Sequence, residues 1–185
     1  MQPTQNEIDR ISEILLKSIK KLIKKDSNIF NIGIDMPQQY SEDAKILNRE
    51  LHETTINHRL AYYIENKLKK NDWKIYNVDI EYNRFYENPK MLKINNIDEI
   101  IRPDIIVHSR MNNNINPQHL LVVEAKKGAI SNHDINKIEH FISDNHYNYL
   151  FGLSISYCSS NSSVLSNLYY REGNNIISKE LNVKK

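Results

Sequence analysis

The chain has 185 residues and a formal net charge of +2, with 39% hydrophobic and 26% charged residues. That length suits one domain with its own core, and the composition excludes an intrinsically disordered chain. The sequence has a single cysteine, Cys158, and no apolar run of about 18 residues. It therefore predicts no internal disulfide and no membrane span, and it favours a reducing, cytoplasmic location.

Two helices are predicted in the first seventy residues. Residues 6–25 have apolar side chains at helical spacing, with acidic residues early and a lysine-rich flank late. The flank fits either a phosphate-facing surface or an ordinary solvated face. A longer helix is predicted from Ser41, its expected N-cap, to Lys70.

After this helix the apolar period changes from the helical value towards two, which predicts strands. The first strand is expected over residues 74–83, and residues 84–101 form a polar connection with at most a short extended piece at 91–94. The remaining predicted elements are strands at 104–109 and 119–126, a helix at 133–143, a strand at 149–157 and a terminal hairpin within 163–177.

The order of these elements predicts a fold. Three strands joined without a helix are expected to be antiparallel, and the helix that follows makes a crossover to the fourth strand. The expected architecture is a mixed α/β fold, a three-layer α/β/α sandwich around a central mixed sheet. Residues 1–185 are interpreted as one domain, with a helical extension at 1–47, a core at 48–158 and a terminal hairpin or extension at 159–185.

Two acidic residues and a lysine lie at the ends of predicted neighbouring strands. Asp104 begins one strand, Glu124 lies near the end of the next, and Lys126 follows two residues later. Glu124 and Lys126 share a face because side chains alternate along a strand. The start of one antiparallel strand lies beside the end of its neighbour, so these three side chains are predicted to converge.

Close carboxylates repel each other unless a cation lies between them. Carboxylate ligands favour Mg²⁺ or Mn²⁺ over Zn²⁺, and the main-chain carbonyl of Ala125 is a further candidate ligand. Such a site is suited to hydrolysis of phosphodiester bonds, with Lys126 orienting or deprotonating the water, or holding the phosphate. The alternative is a surface salt bridge between Lys126 and one of the acids.

A third carboxylate is predicted from the long helix. Glu53 extends the apolar stripe that faces the sheet, and Glu50, one turn earlier, is its rival. Glu53 is also consistent with an ordinary surface pair on the helix. Four basic side chains are candidate nucleic-acid contacts, although each is also consistent with a solvated or structural role: Arg102, His108, Lys127 and Arg84.

Pro103-Asp104, followed by Glu124-Ala125-Lys126, resembles the signature of the PD-(D/E)XK nuclease superfamily, the restriction-endonuclease-like fold. The resemblance extends over about residues 48–158 and is closest to a bacterial branch of that superfamily. It implies that Asp104 and Glu124 are metal ligands, Lys126 the catalytic lysine and Glu53 the helix-borne acid.

The resemblance further implies a Mg²⁺- or Mn²⁺-dependent DNA endonuclease, of the kind found in defence or mobile-element systems. The helix after the third strand lacks the glutamine-tyrosine motif of exonuclease branches, which argues against an exonuclease. The alternative is a non-catalytic or partner-activated nucleic-acid-binding module on the same fold. A homodimer and an activating protein partner are both compatible with the sequence, and no membrane partner is expected.

Overall fold

The computed structural model describes residues 1–31, 42–82, 84–85, 88–89, 91–94, 97–110, 112, 114–157 and 162–185. Within these residues the helices are α1 (Gln5–Asn31), α2 (Glu42–Leu68) and α3 (Asn132–Ser143), with a 3-10 turn at Asp72–Ile75. None of these helices has an apolar stretch long enough to cross a membrane. Ser41 and Cys158 lie outside the described residues.

The strands form one large sheet and two small ladders. In chain order they are β1 (Asn77–Ile80), β2 (Arg84–Phe85), β3 (Asn88–Pro89), β4 (Met91–Ile94), β5 (Ile97–Ile100), β6 (Ile105–His108), β7 (His119–Lys126), β8 (Phe151–Ser156), β9 (Ser163–Glu172), β10 (Asn175–Glu180) and β11 (Val183–Lys184). The large sheet has the order β1-β6-β7-β8-β9-β10, with β11 beside β9. Only β7 and β8 are parallel among its pairs of described strands, so the predicted mixed α/β fold is confirmed.

The sheet lies between two helical layers because its central strands are apolar on both faces. Val122 of β7 packs on the side of α3, with Phe141 in the same cluster. Val123, its neighbour, faces the opposite way and packs in a second cluster with Ile19 of α1 and Leu60 of α2. Adjacent residues of a strand point to opposite faces, so a single buried strand supports both layers.

A partly buried polar contact joins α1 to α2. Asp26, where α1 is kinked (φ −125°), accepts hydrogen bonds from Arg59 Nε at 3.0 Å and from the Tyr63 hydroxyl at 2.5 Å. The lysine-rich flank of α1 is exposed, and Lys21 Nζ lies 5.0 Å from the centre of the Tyr63 ring. The contact with Asp26 helps to fix the position of α2 on the sheet.

Two predictions for residues 74–101 need correction. The first strand spans Asn77–Ile80 rather than residues 74–83. It begins later because Asn71 caps a 3-10 turn by accepting a hydrogen bond from Trp73 N at 2.8 Å. The extended piece expected at residues 91–94 is confirmed as β4, but the predicted polar connection also contains β5, which pairs with β4 as a hairpin. Leu92 of β4 is buried in the cluster beneath α3, and the Tyr147 hydroxyl donates to the Met91 carbonyl. The terminal hairpin, by contrast, is present as β9–β10.

Because α3 packs closely on β8, adding a side chain at Gly152 is expected to destabilise the fold. A Cβ atom at this position would overlap Cγ2 of Ile138 and lie 3.2 Å from Cδ1 of Ile142. Gly152→Ala should therefore lower the free energy of unfolding by about 1–3 kcal/mol, measured by urea denaturation. The matched control is Gly128→Ala, because a Cβ atom at Gly128 would meet no other atom within 4 Å. This variant should change the free energy of unfolding by less than about 0.5 kcal/mol. Equal stabilities for the two variants would contradict this packing.

Candidate active site

The pairing of β6 with β7 brings Asp104 to the segment that contains Glu124 and Lys126. Ile105 pairs with Val123, so the residue before β6 lies beside the end of β7. Asp104 Oδ2 accepts a hydrogen bond of 2.7 Å from the amide of Ala125, the residue between Glu124 and Lys126. The predicted position of Asp104 beside the end of the next strand is therefore confirmed.

Glu124 is a buried carboxylate with a lysine partner. Glu124 is 2% exposed, and its Oε2 accepts a hydrogen bond of 2.6 Å from Lys137 Nζ of α3. Burial raises the pKa of Glu124 to about 7, and the charges of Asp104 and Asp134 act in the same direction against Lys137. Glu124 is thus poised between its neutral and charged forms near neutral pH.

Asp104 has a related electrostatic environment. Burial raises the pKa of Asp104 above its ordinary value, although the hydrogen bond from Ala125 and the charge of Lys126 oppose that change. The negative charge of Glu53 adds to the increase. Two interacting carboxylates with raised pKa values are typical of sites that hold a cation or transfer a proton.

Glu53 reaches this site from α2. Its Oε1 lies 3.9 Å from Lys126 Nζ, and its Oε2 accepts a hydrogen bond of 2.8 Å from the main-chain amide of Lys127. The Lys126 side chain is 36% exposed. The structure therefore brings Glu53 to the end of β7, while the side chain of its rival, Glu50, lies outside the described residues.

A cleft of about 450 Å³ opens beside these residues. Its lining includes Glu53, Asp104, Arg102 and Lys127, so two of the four candidate nucleic-acid contacts border it. Arg102 is exposed and lies 3.6 Å from Glu81, another residue of the lining. Cationic side chains therefore accompany Glu53 and Asp104 in this cleft, whereas Glu124 and Lys126 are not among its described lining residues.

Of the other two candidate contacts, His108 is not among the described residues that line this cleft. His108 is 2% exposed at the far end of β6, where its Nε2 lies 2.8 Å from Asp79 Oδ2 and its ring packs against Tyr82. Asp79 also accepts two hydrogen bonds from Arg110. His108 therefore takes part in a partly buried hydrogen bond between β1 and β6. Arg84 pairs with Pro89 through β2 and β3, and its side chain lies outside the described residues.

Lys137 is the residue that the sequence did not indicate. Ser131 and Asp134 form a capping box at the start of α3, and Lys137 Nζ lies 3.3 Å from Asp134 Oδ1 as well as near Glu124. Burial would raise the pKa of Asp134, but hydrogen bonds from Ser131 and the charge of Lys137 hold it below its ordinary value. The three-residue spacing of Asp134 and Lys137 was visible in the sequence, but nothing indicated that Lys137 faces β7.

Within the described residues, no group of three or more histidine, cysteine, aspartate or glutamate side chains is arranged to hold a metal ion. No protein-family model matches the chain, and no curated protein matches it either. A functional assignment therefore depends on the geometry and electrostatics of Asp104, Glu124, Lys126 and Glu53.

The raised pKa of Glu124 predicts a pH-dependent gain of stability in Glu124→Gln. A carboxyl group whose pKa is higher in the folded than in the unfolded protein stabilises the fold most at low pH, and it loses this contribution as pH rises from about 4.5 to about 7. Glutamine remains neutral, so Glu124→Gln should be about 1–3 kcal/mol more stable than the wild type at pH 8 and similar to it at pH 4.

Urea denaturation at the two pH values measures this difference. Glu172→Gln, which changes an exposed residue of β9, is the matched control and should show no such pH dependence. A Glu124→Gln protein that is less stable than the wild type at pH 8 would mean that the Lys137 pair outweighs the cost of burying the charge.

Proposed function

We propose that the chain is a Mg²⁺- or Mn²⁺-dependent nuclease that hydrolyses phosphodiester bonds and acts on DNA as an endonuclease. The observation that carries this proposal is the hydrogen bond from the Ala125 amide to Asp104, which joins the acid of one strand to the Glu124-Ala125-Lys126 segment of the next. The resemblance to the PD-(D/E)XK signature supports the same function.

The donor set suits a hard divalent cation. Asp104 and Glu124 supply carboxylate oxygens, and the Ala125 carbonyl remains a candidate ligand. Mg²⁺ is commonly bound by one or two carboxylates together with waters and substrate phosphates, so a preformed set of three acidic side chains is not required. The cation would neutralise charge on the phosphate and lower the pKa of the attacking water.

The remaining residues of the site have separate roles in this proposal. Lys126, whose side chain is partly exposed, would hold a phosphate oxygen or orient the attacking water with its ammonium. Glu53 positions this segment through its contacts with Lys126 and with the amide of Lys127. Arg102 and the Lys127 side chain would contact the phosphate backbone from the lining of the cleft.

One observation favours the alternative function, a non-catalytic or partner-activated nucleic-acid-binding module. Lysines already lie next to two of the acids, since Lys137 contacts Glu124 and Lys126 lies near Glu53. These pairs partly neutralise the carboxylates without a metal. In such a module the basic lining of the cleft would hold nucleic acid, and cleavage would be absent or would need a second protein.

Incubation of the full chain with supercoiled plasmid in Mg²⁺ or Mn²⁺ separates the two functions. We expect nicked or linear DNA with metal, and none with EDTA or with Asp104→Asn. Asp9→Asn, which changes an exposed acid of α1, is the matched control and should cleave as the wild type does. RNA incubated in parallel tests the preference for DNA. Plasmid that stays intact in both metals would contradict an active isolated enzyme and favour the alternative.

A further inference from the structure

A lysine is in contact with the most deeply buried acid of the candidate site. Lys137 Nζ lies 2.6 Å from Glu124 Oε2 and 3.3 Å from Asp134 Oδ1, and the Lys137 side chain is only 15% exposed. Its ammonium therefore neutralises Glu124 in a place that water reaches poorly. Lys137 engages one of the two carboxylate oxygens of Glu124, so a divalent cation on this carboxylate would meet the positive charge of Lys137 beside it.

We propose that Lys137 is a built-in counter-cation, which occupies Glu124 in the metal-free protein and sets the affinity of the site for a divalent cation by competing with it. This inference rests on the proposed function, because it takes Glu124 to be a metal ligand. Lys137 is a positioning residue in this scheme, since it acts through Glu124 rather than on the substrate.

Asp134 makes the exchange feasible. Its Oδ2 accepts hydrogen bonds from the amide and hydroxyl of Ser131, at 3.1 and 2.7 Å, which hold the carboxylate at the start of α3. Its Oδ1 faces Lys137. When Glu124 turns to a cation, Lys137 keeps this second partner on its own helix. A buried ammonium with no partner would oppose cation binding strongly, and Asp134 avoids that cost.

Calorimetric titration of the full chain with MgCl₂ tests the competition without measuring activity. Lys137→Met should bind Mg²⁺ at least about tenfold more tightly than the wild type, because its competitor is gone. Lys137→Arg keeps the positive charge and should bind no more tightly than the wild type. The matched control is Lys69→Met, which removes an ion pair with Glu65 on α2 and should leave the affinity unchanged. Titrations at pH 8 and pH 9 separate the competition from the cost of deprotonating Glu124.

Asp134→Asn provides a second test with the opposite sign. It should weaken Mg²⁺ binding at least about threefold in the wild-type background, and less in the Lys137→Met background, where no lysine needs a second partner. This coupling distinguishes a direct exchange from a general effect of charge, which would be additive. If Lys137→Met does not fold, a wild-type affinity in Asp134→Asn overturns the inference.

The inference can fail separately from the proposed function. A Lys137→Met protein that binds Mg²⁺ no more tightly than the wild type, or an absence of binding in both, overturns the competition. Cleavage by the wild type together with unchanged affinity in Lys137→Met would sink only the role of Lys137. Tighter binding in Lys137→Met, with no cleavage by any variant, would support the competition and sink the nuclease.

Discussion

Replacing Lys126 with alanine is expected to lower the rate of plasmid cleavage by at least about a hundredfold while leaving Mg²⁺ affinity within about threefold of the wild type. The Lys126 side chain is 36% exposed beside Glu53, and its charge acts to lower the pKa of Asp104. In the proposed reaction it would stabilise the negative charge that develops on a phosphate. Lys126 is not a metal ligand in this proposal, so its loss should lower the cleavage rate without lowering the affinity for Mg²⁺.

Two measurements are needed for Lys126→Ala. Initial rates of loss of supercoiled plasmid report turnover, and calorimetry reports Mg²⁺ affinity. Lys70→Ala, at an exposed position just beyond α2, is the matched control and should retain both properties. A fully active Lys126→Ala protein would contradict the assignment of a catalytic lysine. A loss of metal binding equal to the loss of rate would instead indicate that Lys126 supports the ligands.

Asp104→Asn should reduce cleavage by at least about a thousandfold, because a neutral amide replaces a carboxylate that would hold the cation. The same change removes a negative charge from the cleft, so DNA should bind about two- to tenfold more tightly in the absence of metal. Weaker catalysis together with tighter DNA binding is the combination that distinguishes a metal ligand from a residue needed for folding.

Filter binding with a short duplex in EDTA measures the affinity of Asp104→Asn for DNA, and the cleavage assay measures its rate. Circular dichroism establishes that the variant is folded, since its side chain also accepts the Ala125 hydrogen bond. An Asp104→Asn protein that cleaves at the wild-type rate would remove Asp104 from the site. Weaker DNA binding in EDTA would show that its carboxylate does not repel the phosphates.

Much of the candidate site could be predicted from the sequence because strand geometry is regular. The alternation along β7 and the antiparallel pairing of β6 with β7 are enough to bring Asp104 to the Glu124-Ala125-Lys126 segment. The helical spacing that places Glu53 on the sheet-facing stripe is equally regular. These residues are related by short-range periodicity, which a single sequence contains.

The contacts that could not be predicted depend on packing between layers. Lys137 contacts Glu124 because α3 crosses the sheet at a particular angle and height. The spacing of apolar residues in the helix predicts neither the angle nor the height. By alternation along the strand, His108 is expected on the same face of the sheet as Asp104. It nevertheless lies four residues further along, beside Asp79 of β1. Alternation of side chains along a strand predicts the face of the sheet on which a residue lies, but it does not predict the position along the strand at which a ligand would bind.

The strands likewise divide into those that the local sequence pattern predicts and those that depend on tertiary contacts. The bounds of β7 follow from its apolar run, and β4 has the bounds of the extended piece expected at residues 91–94. The sequence does not predict β5, which has two acids among its four residues. The β4–β5 hairpin is held by tertiary contacts, such as the burial of Leu92 and the hydrogen bond from the Tyr147 hydroxyl to the Met91 carbonyl across 56 residues of sequence. Local pattern and tertiary contact thus account for different parts of the structure.

The two hydrogen bonds that assemble the site differ in the length of chain that they close, and this has a consequence for the order of folding. The Asp104–Ala125 bond spans 21 residues and the Glu53–Lys127 bond spans 74. Closing the longer loop costs about 1 kcal/mol more in chain entropy. We therefore expect the pair of strand acids to come together early, as a local hairpin, and the acid of α2 to join them late. The nascent protein would then carry an incomplete site until its helical layer docks.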